Sequence, residues 1–292
     1  MKIDTLILSG GGIKCISFLG VLKYMIENQL VSSDFKEIIN IICVSGSILV
    51  VLPLLLGMSI DVIIQLFIEI DLSNFIDFKD IKVDTFLTEF GLFSNNAIYQ
   101  LINKIFSSLN IKETITLKEL YGITNKNVVI KVVNISRGEA VYMNHENYPD
   151  LSVLKAIQMT TCIPFIFTPI LYEDDYYIDG GVYGNFPIEY INEKYNIFGI
   201  NIRSKQTKTE IHNIIDYILK LEKTVWKTIN NFTYFENKRV IHLDIQGFPL
   251  HFEEDIQLKK DYINKGYLQI KEHFKKYGSE KHTDSSLDDS KD

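Results

Sequence analysis

Residues 38–58 form a stretch of 21 residues without a charged side chain. Only two environments accept such a segment: a bilayer, which about 20 apolar residues suffice to cross, or the interior of a folded domain. Ser45-Gly46-Ser47 breaks the stretch near its middle and Pro53 breaks it again, so one membrane helix fits poorly. A buried strand over 38–44, a tight turn and a core helix from Gly46 onward fit better. The unit has a forerunner. Asp4-Thr5-Leu6-Ile7-Leu8 reads as a short strand and Ser9-Gly10-Gly11-Gly12 as a turn, after which Ile16, Leu19, Leu22 and Met25 recur at helical spacing. Two strand–turn–helix units in succession predict an α/β fold, with a mainly parallel central sheet flanked by helices on both faces.

The remaining chain continues the plan. Helical spacing covers 61–71 and 98–105, and Thr116-Leu117-Lys118-Glu119 has the pattern of a capping box. Strands are expected over 127–134, 176–178, 197–202 and 239–245, and helices over 152–159, 213–232 and 259–277. No repeat or linker divides the sequence, so residues 1–277 are expected to form one domain. Residues 278–292 are polar and expected to be a disordered tail. Hydrophobic residues at 46% and charged ones at 23% suit a sizeable buried core. A net charge of −7 offers no positive field for nucleic acid. Cys15, Cys43 and Cys162 are too few and oddly numbered for a disulfide framework and lack metal-ligand spacing. Together with an N-terminus unlike a signal peptide, they point to the cytoplasm.

Three local patterns carry possible chemistry. Gly10-Gly11-Gly12-Ile13-Lys14 joins a strand to a helix, where backbone N–H groups favour an anion; a plain tight turn would also need glycine there. It is a poor dinucleotide fingerprint, because Cys15 stands where a third glycine belongs. Val44-Ser45-Gly46 lies at the junction of the second strand and second helix, the place of a nucleophile elbow. Its flanks, Cys43 and Ser47, depart from G-x-S-x-G, and a serine that merely caps a core helix is the plain alternative. Asp179-Gly180-Gly181 is either an ordinary turn or an acid on a glycine turn. An oxyanion cradle, an elbow serine and an acid are the parts that acyl transfer requires.

In this order the three motifs resemble the patatin-like phospholipase family. Residues 156–169, Ala156-Ile157-Gln158-Met159 through Phe167-Thr168-Pro169, are similar to the helix and loop that precede the family's Asp-Gly-Gly turn, and Gly266-Tyr267 resembles its closing segment. The likeness extends over about residues 2–277 and implies a patatin-like variant of the α/β hydrolase architecture. It further implies hydrolysis of a fatty-acyl ester of a phospholipid or related glycerolipid, without metal or cofactor. Ser45 would be the nucleophile and Asp179 its only catalytic partner. Gly11 and Gly12 would hold the oxyanion through their N–H groups, with Gly10 shaping the loop and Lys14 adding positive charge. Transient contact with a membrane surface would follow from the substrate.

Two other readings stay open at this point: a Ser–Asp–His esterase, completed by His212, His242 or His251, and a lipid-binding relative that has lost turnover. His242 stands in an apolar strand, which suits a packing residue. Asp174-Asp175 is too sparse for a calcium site. The aromatic stretch from Phe67 to Phe93, with Phe75 and Phe78 inside it, is either ordinary core or an apolar wall for acyl chains. Trp226 is either an interfacial anchor or a packing residue.

Overall fold

In the computed structural model, strands β1 (Thr5–Leu8) and β2 (Asn40–Val44) are buried at every position. Strands with neighbours on both edges and cover on both faces have no solvent side, which is why these read as unbroken apolar runs. The structure describes residues 2–70, 83–94, 96–190, 195–203, 238–247 and 255–278, with scattered positions between 210 and 224. Between β1 and β2 lie a short 3-10 helix, Gly12–Ile16, and α1 (Ser17–Glu27). The uncharged stretch is thus β2, a turn and α2 (Ser47–Leu55), and among the described residues no helix is long and apolar enough to cross a membrane.

Next come α3 (Ile60–Glu69), α4 (Val83–Glu89), β3 (Gly91–Phe93), α5 (Asn96–Ser108) and α6 (Leu117–Thr124). The capping box that opens α6 forms as read: Thr116 Oγ1 accepts from the Glu119 amide while the Glu119 carboxylate accepts from the Thr116 amide. Then follow β4 (Asn127–Asn134), β5 (Glu139–Met143), α7 (Val153–Thr160), β6 (Phe165–Phe167), β7 (Ile170–Tyr172), β8 (Asp175–Asp179), β9 (Ile197–Arg203), β10 (Val240–Asp244) and α8 (Ile256–Gly278). Described positions between 214 and 224 are helical. The rest of the helix expected to reach residue 232, Trp226, Phe75, Phe78, His251 and residues 279–292 lie outside the described residues.

Among the described residues, the main sheet has eight strands in the order β10-β9-β1-β2-β4-β8-β7, with β5 also paired to β4. From β10 to β4 every pairing is parallel. Beyond β4 the sheet turns antiparallel: hairpins join β4 to β5 and β7 to β8, and β8 runs antiparallel to β4. Glu173 and Asp174 form the two-residue turn between β7 and β8, with φ of 48° and 67°, the left-handed pair a tight hairpin needs. Of the Asp174-Asp175 pair, Asp174 thus serves the turn and Asp175 opens β8.

Successive side chains on the strands face opposite layers. Leu6, Leu8, Ile41, Cys43, Ile130 and Val132 join one large core with α1, α2 and α3. Ile7 and Val240 pack with Phe186 on the other side, and Val133, Ile178 and Ile218 form a third group. Helix α1 crosses α8 at a pair of glycines. A Cβ on Gly20 would collide with the Ile263 carbonyl oxygen, and one on Gly266 with the Ser17 carbonyl oxygen. Backbone lies against backbone there, so nothing can give way.

Gly266→Ala is therefore expected to lower stability by about 1–3 kcal/mol through overpacking. Gly122→Ala, in a helix with open space around it, is expected to raise stability by about 0.4–1 kcal/mol. Urea unfolding of the two variants against wild type reads both signs.

Candidate active site

Ser45 stands between β2 and α2 with φ of 56°. A non-glycine residue in the left-handed region is strained by about 1–2 kcal/mol, and the surroundings hold it there. Its amide donates to Thr160 Oγ1 at 2.9 Å, and that hydroxyl donates to the Lys131 carbonyl at 2.7 Å. Ser47 Oγ accepts from the Val44 amide at 2.9 Å. The serine that replaces the second elbow glycine thus braces the turn, while Cys43 packs into the core without obstructing it. Burial pushes the Cys43 thiol up to about 12 and the Cys15 thiol still higher, so both stay protonated at neutral pH.

Asp179 is the last residue of β8. Its amide donates to the Cys162 carbonyl at 2.8 Å, and its Oδ1 accepts from the Gly181 amide at 2.7 Å. Gly180 has no room for a side chain, because a Cβ there would strike the Lys131 carbonyl. The Asp-Gly-Gly turn therefore follows from close approach to β4.

Register explains why the two residues meet. Val44 pairs with Lys131, and Asp179 pairs with Val132. Since β5 pairs along β4 from Ile130 to Asn134 on one side, β2 and β8 must share the other, one on each half. They run toward each other and end at adjacent positions. Ser45 Oγ donates to Asp179 Oδ2 at 2.6 Å, with Ser45 6% and Asp179 1% exposed. Burial raises the Asp179 carboxyl from 3.8 to about 7, against the pull of the Ser45 hydroxyl, the Gly181 amide and the Lys131 charge.

The glycine loop lies against this pair. A Cβ on Gly10 would sit 3.0 Å from Ser45 Cβ, and one on Gly46 would sit 3.1 Å from the Gly12 carbonyl oxygen. Gly12 has φ of 58°, which glycine adopts without strain. Asn185 fastens the loop: its carbonyl accepts from the Gly10 amide at 3.2 Å and its Nδ2 donates to the Gly10 carbonyl at 3.0 Å. Gly10 is thus a brace. Among the described residues, the Gly11 and Gly12 amides have no protein acceptor, and both lie at the entry to the 3-10 helix that holds the buried Lys14.

The sequence model described as patatin-like phospholipase matches residues 6–191, which hold the loop, the elbow and the Asp-Gly-Gly turn. The chain belongs to the patatin-like phospholipase family. It is 28% identical to uncharacterized protein R571 of Acanthamoeba polyphaga mimivirus over 279 residues, covering 91% of this chain and 90% of that one. It is 27% identical to probable lipid hydrolase 463L of Invertebrate iridescent virus 6, over 81% of this chain and 77% of that one. The fold is shared with VipD from Legionella pneumophila at a TM-score of 0.63 and 15% identity, over 94% of this chain and 67% of that one. It is shared also with ExoU of Pseudomonas aeruginosa at 0.51 and 14%, over 94% of this chain but only 52% of that one.

Among the described residues, histidine stays apart from the site of this patatin-like chain. His242, on β10, has its Nδ1 3.2 Å from Asn201 Nδ2. Three strand spacings separate β10 from β2, roughly 14 Å at about 4.8 Å each. His212 lies at the surface beside Glu210. Ser45 Oγ bonds Asp179 Oδ2 directly, so no imidazole lies between them. Among the described residues, no group of three His, Cys, Asp or Glu side chains is placed to hold a metal.

Three residues that support the site were not singled out from sequence: Thr160, Lys131 and Asn185. Lys131 had a signal, since a lysine inside Val-Val-Ile-Lys-Val-Val is rare in a buried strand. Thr160 and Asn185 are ordinary polar residues in loops and helix ends.

The raised pKa of Asp179 has a thermodynamic counterpart. The folded state keeps a proton that the unfolded state releases between pH 3.8 and about 7, so this residue makes stability fall with rising pH across that window and level off above it. Asp179→Asn imitates the neutral acid. Its melting temperature is expected to match wild type near pH 4 and to exceed it increasingly up to pH 8. Calorimetric scans at both pH values test this, and an equal difference at both would contradict it.

Proposed function

We propose that this chain hydrolyses fatty-acyl esters of phospholipids or related glycerolipids by a Ser45–Asp179 dyad through an acyl-serine intermediate. The observation that carries the reading is the direct 2.6 Å bond from Ser45 Oγ to Asp179 Oδ2. Family membership and the lipid-hydrolase description of the iridescent-virus relative supply the substrate class. The reaction begins with Ser45 Oγ attacking the ester carbonyl carbon as its proton passes to Asp179 Oδ2. An ordinary carboxylate is a weak base for this step; one raised to about 7 binds that proton far more tightly. Negative charge on the carbonyl oxygen is received by the Gly11 and Gly12 amides, with Lys14 adding positive potential. Collapse breaks the bond to the alcohol, which leaves with the proton from Asp179. Water then gives its proton to Asp179 and attacks the acyl-serine carbonyl, and fatty acid departs as Ser45 recovers its proton.

An apolar approach supports a lipid substrate. Leu87, Phe90 and Phe165 are exposed. They belong to the segments around β3 and β6, whose core includes Cys162, the residue that accepts the Asp179 amide. This surface would meet a lipid aggregate without a spanning segment.

Ser45→Ala and Asp179→Asn are each expected to reduce lipid hydrolysis about 1000-fold or more, and the double variant little further, as parts of one unit are not additive. His242→Gln and His212→Gln are expected to stay within about tenfold of wild type, roughly 1.4 kcal/mol of barrier. A folded histidine variant as inactive as Ser45→Ala would replace the dyad by a triad. Absence of fluorophosphonate labelling at Ser45 would indicate a lipid-binding protein without turnover.

The pH profile provides a further test. Ionised Asp179 is the active form, so kcat/KM is expected to rise with pH, level off above about 7 and be unchanged in excess EDTA. Calcium-dependent recovery after chelation would contradict the metal-free scheme.

A further inference from the structure

We propose that Lys131 is a positioning residue for the hydrolysis, tying the serine elbow to the Asp179 turn and holding a positive charge near the carboxylate. This rests on the dyad reading above.

The geometry places Lys131 where the two halves of the site meet. It pairs with Val44 on β2, and its neighbour Val132 pairs with Asp179 on β8. Its carbonyl accepts from Thr160 Oγ1, which holds the Ser45 amide. Its ammonium reaches the other half, donating to the Gly184 carbonyl at 2.8 Å and the Tyr183 carbonyl at 3.2 Å. Those carbonyls close the short helix that Asp179 caps. Gly180 packs on the backbone and stem of the same lysine. One residue, its side chain 0% exposed, therefore joins the two halves, the elbow through its carbonyl and the Asp179 turn through its ammonium.

A buried ammonium is costly unless it is paired and hydrogen-bonded. Glu189 accepts from it at 2.7 Å, and the Tyr142 hydroxyl donates to the same carboxylate oxygen at 2.5 Å. Strand packing alone gives no reason for this investment in the centre of β4, where valine or isoleucine would pack without a partner. The charged and titratable groups facing the carboxylate of Asp179 are Ser45 from the elbow, Lys131 from β4, and Cys15 beyond the glycine loop with Lys14 beside it. Facing the ammonium are Glu189, Tyr142 and Asp179. Cys15 is protonated throughout the working range, so the lysine and its glutamate are the adjustable pair.

The test is the pH dependence of kcat/KM on a fluorogenic short-chain acyl ester for wild type, Lys131→Met, Lys131→Arg and Glu189→Gln. Removing the positive charge raises the carboxyl pKa, so the acid limb of Lys131→Met moves to higher pH by about one unit. Activity well below the limb then falls about tenfold more than at its plateau. Lys131→Arg keeps the charge and leaves the limb in place. Glu189→Gln removes the carboxylate that keeps the buried ammonium charged against desolvation, so it weakens the charge beside Asp179 and moves the limb in the same direction as Lys131→Met, to higher pH. Should Lys131→Met fail to fold, Glu189→Gln decides by itself. A uniform loss of kcat with the limb unmoved in the folded variants would overturn the assignment and leave a structural lysine. Failure of the dyad has a different signature: Asp179→Asn would keep its activity, and the wild-type profile would lack the limb.

Discussion

Strand β4 offers one edge to two strands that arrive from opposite directions, and their ends abut between Lys131 and Val132. Ser45, at the end of one, and Asp179, at the end of the other, the proposed nucleophile and base, then fall within a hydrogen bond of each other. In a sheet that stayed parallel, a strand of β8's position would deliver its C-terminal residue beside the neighbouring strand end, one strand spacing of about 4.8 Å away. The switch from parallel to antiparallel at β4 is therefore what brings Ser45 and Asp179 into direct contact. The hairpin between β7 and β8, with its left-handed Glu173 and Asp174, reverses the chain so that β8 can run in that direction.

The same arrangement sets a conflict between folding and chemistry. The acid is buried and thereby made basic, and a buried carboxylate resists ionisation. The protein moderates this with the Gly181 amide, the Ser45 hydroxyl and the charge on β4. These favour the ionised form enough to keep the group poised near neutrality. Strain at Ser45 belongs to the same pattern: the left-handed elbow costs energy, and Thr160, Ser47 and the pairing of β2 on both edges maintain it.

Much of this was legible in the amino-acid sequence, because the strongest signals are local. The uncharged stretch became β2, turn and α2; the glycine loop, the elbow and the Asp-Gly-Gly turn occupy the junctions where periodicity changes. Strands β3, β5, β6 and β7 were not read, being short or partly exposed with no clear alternation. The antiparallel half of the sheet was likewise hidden. Strand direction depends on hairpins such as that at residues 173–174, where two acids adopt a conformation usually associated with glycine or asparagine. Lys131 was visible as an anomaly but not interpretable, since its partners Tyr183, Gly184 and Glu189 lie more than fifty residues away. Asn185 and Thr160 act through backbone contacts that no composition or spacing foretells.

The crossing of α1 and α8 also bears on the order of events during synthesis. Helix α1 issues from the glycine loop, and its first turn is pressed by Gly266 at Ser17. A ribosome releases the loop, the elbow and the acid long before it releases that glycine, since chains emerge at about 5–20 residues per second from the N-terminus. The helix that steadies the cradle thus arrives after every reacting group has been made. A nascent chain therefore holds Ser45 and Asp179 before the helix that packs on α1 exists, so the activity proposed for it would wait on completion of the fold.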